Sequence, residues 1–486
     1  MDDLKTRAIS GILWSLADRL GLQAVQFGVS VVLARLLLPS EFGIIGMLAL
    51  FMAVAQSLMD SGFGSALIQK QDTDRIDESS IFFFNIIVGI TLACVLCLTA
   101  PWIAEFYDQP LLVGLTRFMS LSLVFNAFGL VQLAILTKRL DFKTQMKVGI
   151  AASVASGMIG VYLALKGCGV WSLAVQSVSN ALFRSAILWV ANSWRPALAF
   201  SPRSLRQMVG FGSRLAAAGM LNTFFDNFYY AFIGKMFSAT DLGYYTRAHS
   251  MERVVTSATT QTVSRVMFPA LATIQNDTER LKRYYQESIK LVVFVSFPIM
   301  LALASVSDNL IPFFFGLRWQ SSADYFSLLC IAGILYPLHA LNLNTLQVKG
   351  RSDVFLRLEI VKKILILVSV AASYRWGIAA LLYAQIIVSV LAYFLNSHYS
   401  GKLIGYGRRE QLRDIFPALL ISLSVAIPVH LIGKINVVPN IGRLAIQGVI
   451  GVSLYVGLSR ALRISALSQL ADMARMSLRP TLTQWS

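Results

Sequence analysis

The chain has 486 residues, of which 56% are hydrophobic and only 14% charged. Soluble domains run nearer a quarter charged, so this composition excludes a chain that covers its own surface with polar groups, and its solvent must be lipid. The net charge of +17 would suit nucleic acid, but the bases lie mostly between apolar runs on alternate sides, as the positive-inside rule requires, and no nucleic-acid partner is expected.

The apolar runs are continuous rather than alternating, which predicts helices and not a β-barrel. Fourteen spans are predicted, at 11–37, 43–67, 80–103, 112–136, 148–165, 171–191, 209–236, 243–274, 288–307, 324–347, 357–374, 377–397, 414–433 and 441–460. The first is too long for a secretory signal and carries Asp18 and Arg19, so no signal peptide is expected. Alternation along the fourteen puts about 27 Lys and Arg on one side, together with both termini, and about four on the other. That asymmetry predicts that both termini are cytoplasmic. The longest outer segment runs from Asp308 to Ala323, with Phe313, Phe314, Phe315 and Trp319 expected as an interfacial belt. A membrane-bound glycosyltransferase or polymerase would need a sizeable acid-bearing outer loop, and an ATP-driven exporter a P-loop domain. Neither is present, so no catalysis is expected.

Span one carries Arg19, Gln23, Gln26 and Ser30 at spacings of four, three and four, one face of a helix. A polar stripe of that kind should face a bundle interior or a wet cavity; the alternative is helix-to-helix hydrogen bonding with no transport role. Just after it, Arg35 to Gly43 (RLLLPSEFG) returns as Lys235 to Gly243 (KMFSATDLG), at a constant offset of 200 residues. In both copies an apolar run ends in a base, an acidic turn follows, and a glycine opens the next run. Span two holds Asp60 near its cytoplasmic half. Cys94 and Cys97 have CxxC spacing, but in mid-helix they are expected to pack and not to bind metal.

The stripe also has its copy. Gln23 aligns with Thr223, Gln26 with Asp226 and Ser30 with Tyr230, with Asn222 and Asn227 alongside. In span eight, Arg247 and Arg265 share a face with Gln261 between them, while His249, Glu252 and Arg253 lie on other faces. The candidate cavity residues are therefore Arg19, Gln23, Gln26, Ser30, Asp60, Asn222, Asp226, Tyr230, Arg247, Arg253 and Gln261. Intramembrane groups lean basic: Arg19, Arg117, Arg184, Arg214, Arg247 and Arg253 face only Asp18, Asp60, Asp226 and Glu252. Surplus positive charge at low dielectric attracts an anion, and Arg grips phosphate with a bidentate fork.

Six spans per copy, an even number, give the copies one orientation. The expected fold is an all-α polytopic membrane protein with about fourteen transmembrane helices. Two six-helix bundles, 1–203 and 204–405, form a parallel pseudo-two-fold repeat, and 406–486 adds spans thirteen and fourteen with a tail.

The runs ARLLLPSEFG (34–43), DSGFGSALIQK (60–70), Trp194-Arg195-Pro196 and FIGKMFSATDLGYY (232–245) resemble bacterial polysaccharide flippases. These are the Wzx-type members of the multidrug/oligosaccharidyl-lipid/polysaccharide superfamily, and colanic-acid-type exporters are the nearest in pattern. The resemblance covers roughly residues 5 to 400. It implies export of an undecaprenyl-diphosphate-linked oligosaccharide from inner to outer leaflet by alternating access, for exopolysaccharide, capsule or O-antigen synthesis. It also implies membrane lipid as surroundings, a proton or sodium gradient as the coupling source and no other cofactor or metal, with a polysaccharide polymerase and a chain-length regulator as candidate partners. A cation-coupled multidrug antiporter and a lipid II flippase of the same superfamily are the alternatives. The family offers no invariant motif to carry over, so the site rests on the stripes.

Overall fold

The computed structural model describes residues 21–60, 67, 74–435, 439–464 and 466–470; of residues 203–218, 261–262 and 264–266 it describes the backbone alone. All regular structure among the described residues is helical. The chain divides by packing into two units, residues 1–246 and 247–486. This is a division of contacts and is distinct from the repeat boundary expected at 203/204.

Unit 1 contains α1 (Gly21–Leu36), α2 (Pro39–Met59), α3 (Arg75–Tyr107), α4 (Leu111–Lys138), α5 (Phe142–Leu165), α6 (Val170–Ala191) and α7 (Pro202–Met236), and the start of α8 (Ala239–Thr273). Helix α3 packs on α4, α5 on α6, α4 on α6, and α2 on α7. Short side chains set the starts of these helices. Asp74 accepts from the Asp77 amide at 2.6 Å to open α3, and Asp141 from the Thr144 amide at 3.0 Å to open α5, each satisfying an amide the helix itself leaves unpaired. The segment after α6 is pinned to the start of α3. Ser79 and Ser80 accept from the amides of Ala197 and Ser201, each at 2.8 Å, and Arg75 donates to the Arg195 carbonyl at 3.2 Å.

Unit 2 holds the rest of α8, then α9 (Thr278–Phe315), α10 (Gln320–Gly333), α11 (Tyr336–Val348), α12 (Ser352–Ser373), α13 (Ile378–Ile404), α14 (Arg408–Gly433) and α15 (Asn440–Ala461). Helix α9 packs on α14 and α10, α13 on α10, α11 and α12, and α15 on α14. At 38 residues, α9 is about 57 Å long at 1.5 Å per residue, nearly twice the ~30 Å hydrocarbon core. Its polar first turns carry ion pairs to the start of α14, Lys282 to Glu410 and Lys290 to Asp414, each at 3.1 Å. Buried amides tie its other end. Asn309 donates to the Gly433 carbonyl and to Gln447 Oε1, both at 3.2 Å, and Gln447 donates to the Val429 carbonyl at 2.8 Å.

Among the described residues, ten segments are long and apolar enough to cross a membrane, and the chain is a multi-pass membrane protein. The remaining predicted spans coincide with α1, described from Gly21 onward, and with α7, α8 and α12, whose interiors carry charges. The span predicted at 324–347 falls within one of the ten segments, Leu317–Val348, which is interrupted between α10 and α11 because Pro337 at the start of α11 lacks an amide hydrogen and its ring disfavours a continuing helix before it. The outer segment from Asp308 to Ala323 is not a loop: α9 runs to Phe315 and a single 3-10 turn leads into α10. Phe315 and Trp319 are 2% and 0% exposed, so these two are core residues and not an interfacial belt.

Candidate functional site

The echoed turns of the repeat meet inside unit 1. At the start of α2, Glu41 Oε2 accepts from the Leu38 amide at 2.7 Å. At the start of α8, Asp241 accepts from the Ser238 amide at 3.4 Å and Ser238 Oγ from the Asp241 amide at 3.1 Å. The repeated acid is thus a helix-capping residue in both copies. The repeated glycine has a different cause. A Cβ on Gly43 would lie 1.7 Å from the carbonyl oxygen of Ala239, and one on Gly243 would lie 1.8 Å from that of Pro39. The contacts are reciprocal at the 200-residue offset, so each helix start is seated on the other through glycine.

On α1, Gln23 and Ser30 are half-buried and Gln26 is exposed. Gln26 and Val29 line a cavity of about 300 Å³ whose other walls are Ser153 of α5 and Gln176, Ser177 and Asn180 of α6. Asn180 Nδ2 donates to Ser156 Oγ at 3.1 Å and to Ser153 Oγ at 3.4 Å. Apart from Val29 the walls are amides and hydroxyls with no formal charge, able to donate and accept hydrogen bonds at several points. Sequence reasoning found Gln26 but missed its partners; Gln176 and Asn180, four residues apart on one helical face, carried the available signal.

Asp60, the C-cap of α2, belongs to a second polar group. Gln56 Nε2 donates to Asp60 Oδ1 at 2.9 Å, Asn126 of α4 donates to Gln56 Oε1 at 3.1 Å, and Arg184 of α6 acts electrostatically on the Asp60 carboxyl. On α7, Asn222 and Asp226 are exposed and Asn227 donates to the Thr223 carbonyl at 2.8 Å. Tyr230 is half-buried, with its ring edge-on to Tyr245 at 5.6 Å. Arg19 lies outside the described residues, as does the side chain of Gln261.

In unit 2 the charges of α8 separate by environment. Arg253 is exposed. Arg247 is 6% exposed, and its guanidinium lies over the rings of Phe315 at 4.9 Å and Trp319 at 5.4 Å. Two of the four aromatics assigned by sequence to a membrane interface, Phe315 and Trp319, are therefore packing partners of this cation. Glu252, one turn further along, is buried as well. A second polar group crosses α11 and α13: His339 lies 3.4 Å from Ser389 Oγ and 3.3 Å from Asn396 Nδ2, and Ser389 donates to the Ala332 carbonyl at 2.8 Å.

Comparison with known proteins agrees with this architecture. A family model described as polysaccharide biosynthesis protein matches residues 32–324. The lipopolysaccharide biosynthesis protein WzxC of Escherichia coli K12 is 26% identical over 444 residues, covering 88% of each chain. The teichuronic acid biosynthesis protein TuaB of Bacillus subtilis 168 is 26% identical over 433 residues, covering 88% of this chain and 89% of its own. Among solved structures, the lipid II flippase MurJ in an inward closed conformation matches with a TM-score of 0.75 at 14% identity, over 93% of this chain and 99% of that one. At that identity the likeness is one of fold.

Proposed function

The chain belongs to the polysaccharide biosynthesis protein family, and on that premise we propose that it is a flippase, moving lipid-linked oligosaccharide repeat units from the inner to the outer leaflet of the bacterial cytoplasmic membrane. The reaction is transport and makes or breaks no covalent bond. The observation that carries the reading is the match to WzxC along 88% of both chains, which leaves no large part of either outside the alignment. The charge asymmetry of the loops supports a cytoplasmic side for both termini.

The amide- and hydroxyl-lined cavity of unit 1 suits one sugar residue of such a unit. Gln26, Gln176 and Asn180 present both donors and acceptors, which is what a ring of hydroxyls requires, and the absence of charge among the cavity walls leaves the hydrogen bonds easy to exchange during passage. The lipid tail would stay in the bilayer, where an apolar chain has no reason to leave. The diphosphate would be met by the basic surplus of the intramembrane arginines, with exposed Arg253 a better candidate than stacked Arg247. A likeness of fold to MurJ does not favour lipid II as cargo, since that fold is shared at 14% identity.

The test is a deletion strain. Without this protein, lipid-linked repeat units should accumulate where an impermeant oxidant applied from outside cannot reach them, and the wild-type chain supplied in trans should restore both accessibility and surface polysaccharide. Accumulation of units that the oxidant does reach would place the block after translocation and overturn the proposal.

A further inference from the structure

Glu252 is a buried acidic residue of unit 2. The residue is 3% exposed, and its Oε1 has no hydrogen-bond partner among the described residues. A Cβ added at Gly333 would lie 2.6 Å from that oxygen, 3.0 Å from Thr256 Cγ2 and 3.1 Å from Met300 Cε. The carboxyl is thus packed against the backbone of the last residue of α10, at the break that separates α10 from α11.

The groups around it do not neutralise it. Arg253, its neighbour on α8, acts on it electrostatically but is itself exposed. His249 lies almost one turn earlier on the same helix. From α10 the titratable group facing it is the Cys330 thiol, and α9 contributes the methyl of Met300. The single Thr256 hydroxyl serves the backbone carbonyl of Glu252 at 3.1 Å and also acts as a hydrogen-bond donor toward its carboxyl, so it is shared between the two. A metal ion would require several ligands, and among the described residues no group of three or more His, Cys, Asp or Glu side chains stands here to supply them. A buried carboxyl without a cation is tolerated when it carries a proton, and it demands water or a counter-charge when it does not.

We propose that Glu252 is the site at which this transporter binds and releases a proton, and that Gly333 is the contact through which the change reaches the break between α10 and α11. The neutral acid fits against Gly333. The carboxylate must leave that contact to be solvated, and it leans on a helix end whose Ala332 carbonyl is held by the Ser389 hydroxyl at 2.8 Å instead of by the next helical turn. A broken span can take up a new position at lower cost than a continuous one, since its backbone bonds already end there. No bond other than the O–H of the carboxyl forms or breaks, and the proton comes from and returns to water.

The proposal rests on the transport reading for its purpose, but proton binding can be measured without substrate. The full-length protein in lipid vesicles is titrated by infrared difference spectroscopy of the protonated-carboxyl band. Wild type should show a band that grows on acidification, Glu252→Gln should lose it, and Glu252→Asp should retain a titrating band and so control for folding. The same band in wild type and Glu252→Gln overturns the site. In a second arm, transfer of a lipid-linked oligosaccharide is followed with and without a pH gradient. Glu252→Gln should lose the gradient-dependent acceleration and keep the gradient-independent rate; persistence of the acceleration overturns the coupling role. If wild type moves no such lipid while its band is still lost in Glu252→Gln, the flippase reading fails and the proton site stands.

Discussion

Replacing Gly43 with alanine inserts a methyl where the structure has no room. The new Cβ would sit 1.7 Å from the Ala239 carbonyl oxygen, 2.6 Å from its carbon and 3.0 Å from the Gly243 nitrogen, and ordinary contact begins near 3.4 Å. The starts of α2 and α8 must therefore part by about 1.7 Å. Every obstructing atom is backbone inside a capped helix start, so no side-chain rotation relieves the overlap. Overpacking of this kind costs about 1–3 kcal/mol, and the upper end is expected here. Gly46→Ala supplies the control three residues on, since its methyl would meet the side-chain ends of Thr246 at 2.8 Å and Leu242 at 3.2 Å, which can turn aside; a cost of about 1 kcal/mol or less is expected. Gly243→Ala should behave as Gly43→Ala does, and the double substitution should cost clearly less than the two added, because one separation of the helices relieves both clashes. The assay is reversible denaturant unfolding of the purified protein in micelles. Gly43→Ala no more destabilising than Gly46→Ala would refute the reciprocal seat.

Arg247→Ala removes the cation held over Phe315 and Trp319 and should destabilise the protein by about 2 kcal/mol or more, read as a lowered unfolding midpoint, with Arg247→Lys retaining part of the loss. Gln447→Leu removes the bonds to the Asn309 amide and the Val429 carbonyl and should cost about 1–3 kcal/mol in the same unfolding assay. Asn180→Leu strips one donor–acceptor pair from the cavity of unit 1; export of repeat units at matched protein level should fall roughly 3- to 10-fold, as expected for one hydrogen bond of about 1 kcal/mol, with normal membrane insertion.

Apolar run length was enough to place the helices, because a lipid solvent leaves the backbone little choice but to pair with itself. The break at Gly333 was signalled by Pro337, whose effect a hydropathy window averages away. The repeat was visible as Glu41 and Asp241, Gly43 and Gly243, yet its cause was not: a glycine chosen for contact with its own copy reads in sequence like any other turn glycine. Phe315 and Trp319 were misread because a buried cluster and an interfacial belt share one composition, and only the packing of Arg247, 72 residues before Trp319 in the chain, separates them. For the candidate site, the amides of α1 stood out against an apolar helix. Ser153 and Ser156 did not, since small hydroxyls are common in membrane helices and can bond to their own backbone.

The flippase proposal is tested most directly with the purified full-length protein in vesicles carrying a labelled undecaprenyl-diphosphate-linked oligosaccharide in both leaflets. An impermeant oxidant is added outside, and the protected fraction is followed with time. Wild-type protein should carry the inner-leaflet label out until nearly all of it is consumed, and Asn180→Leu should slow that approach. A protected fraction that stays at the level of protein-free vesicles would contradict the proposal, whatever the stability measurements show.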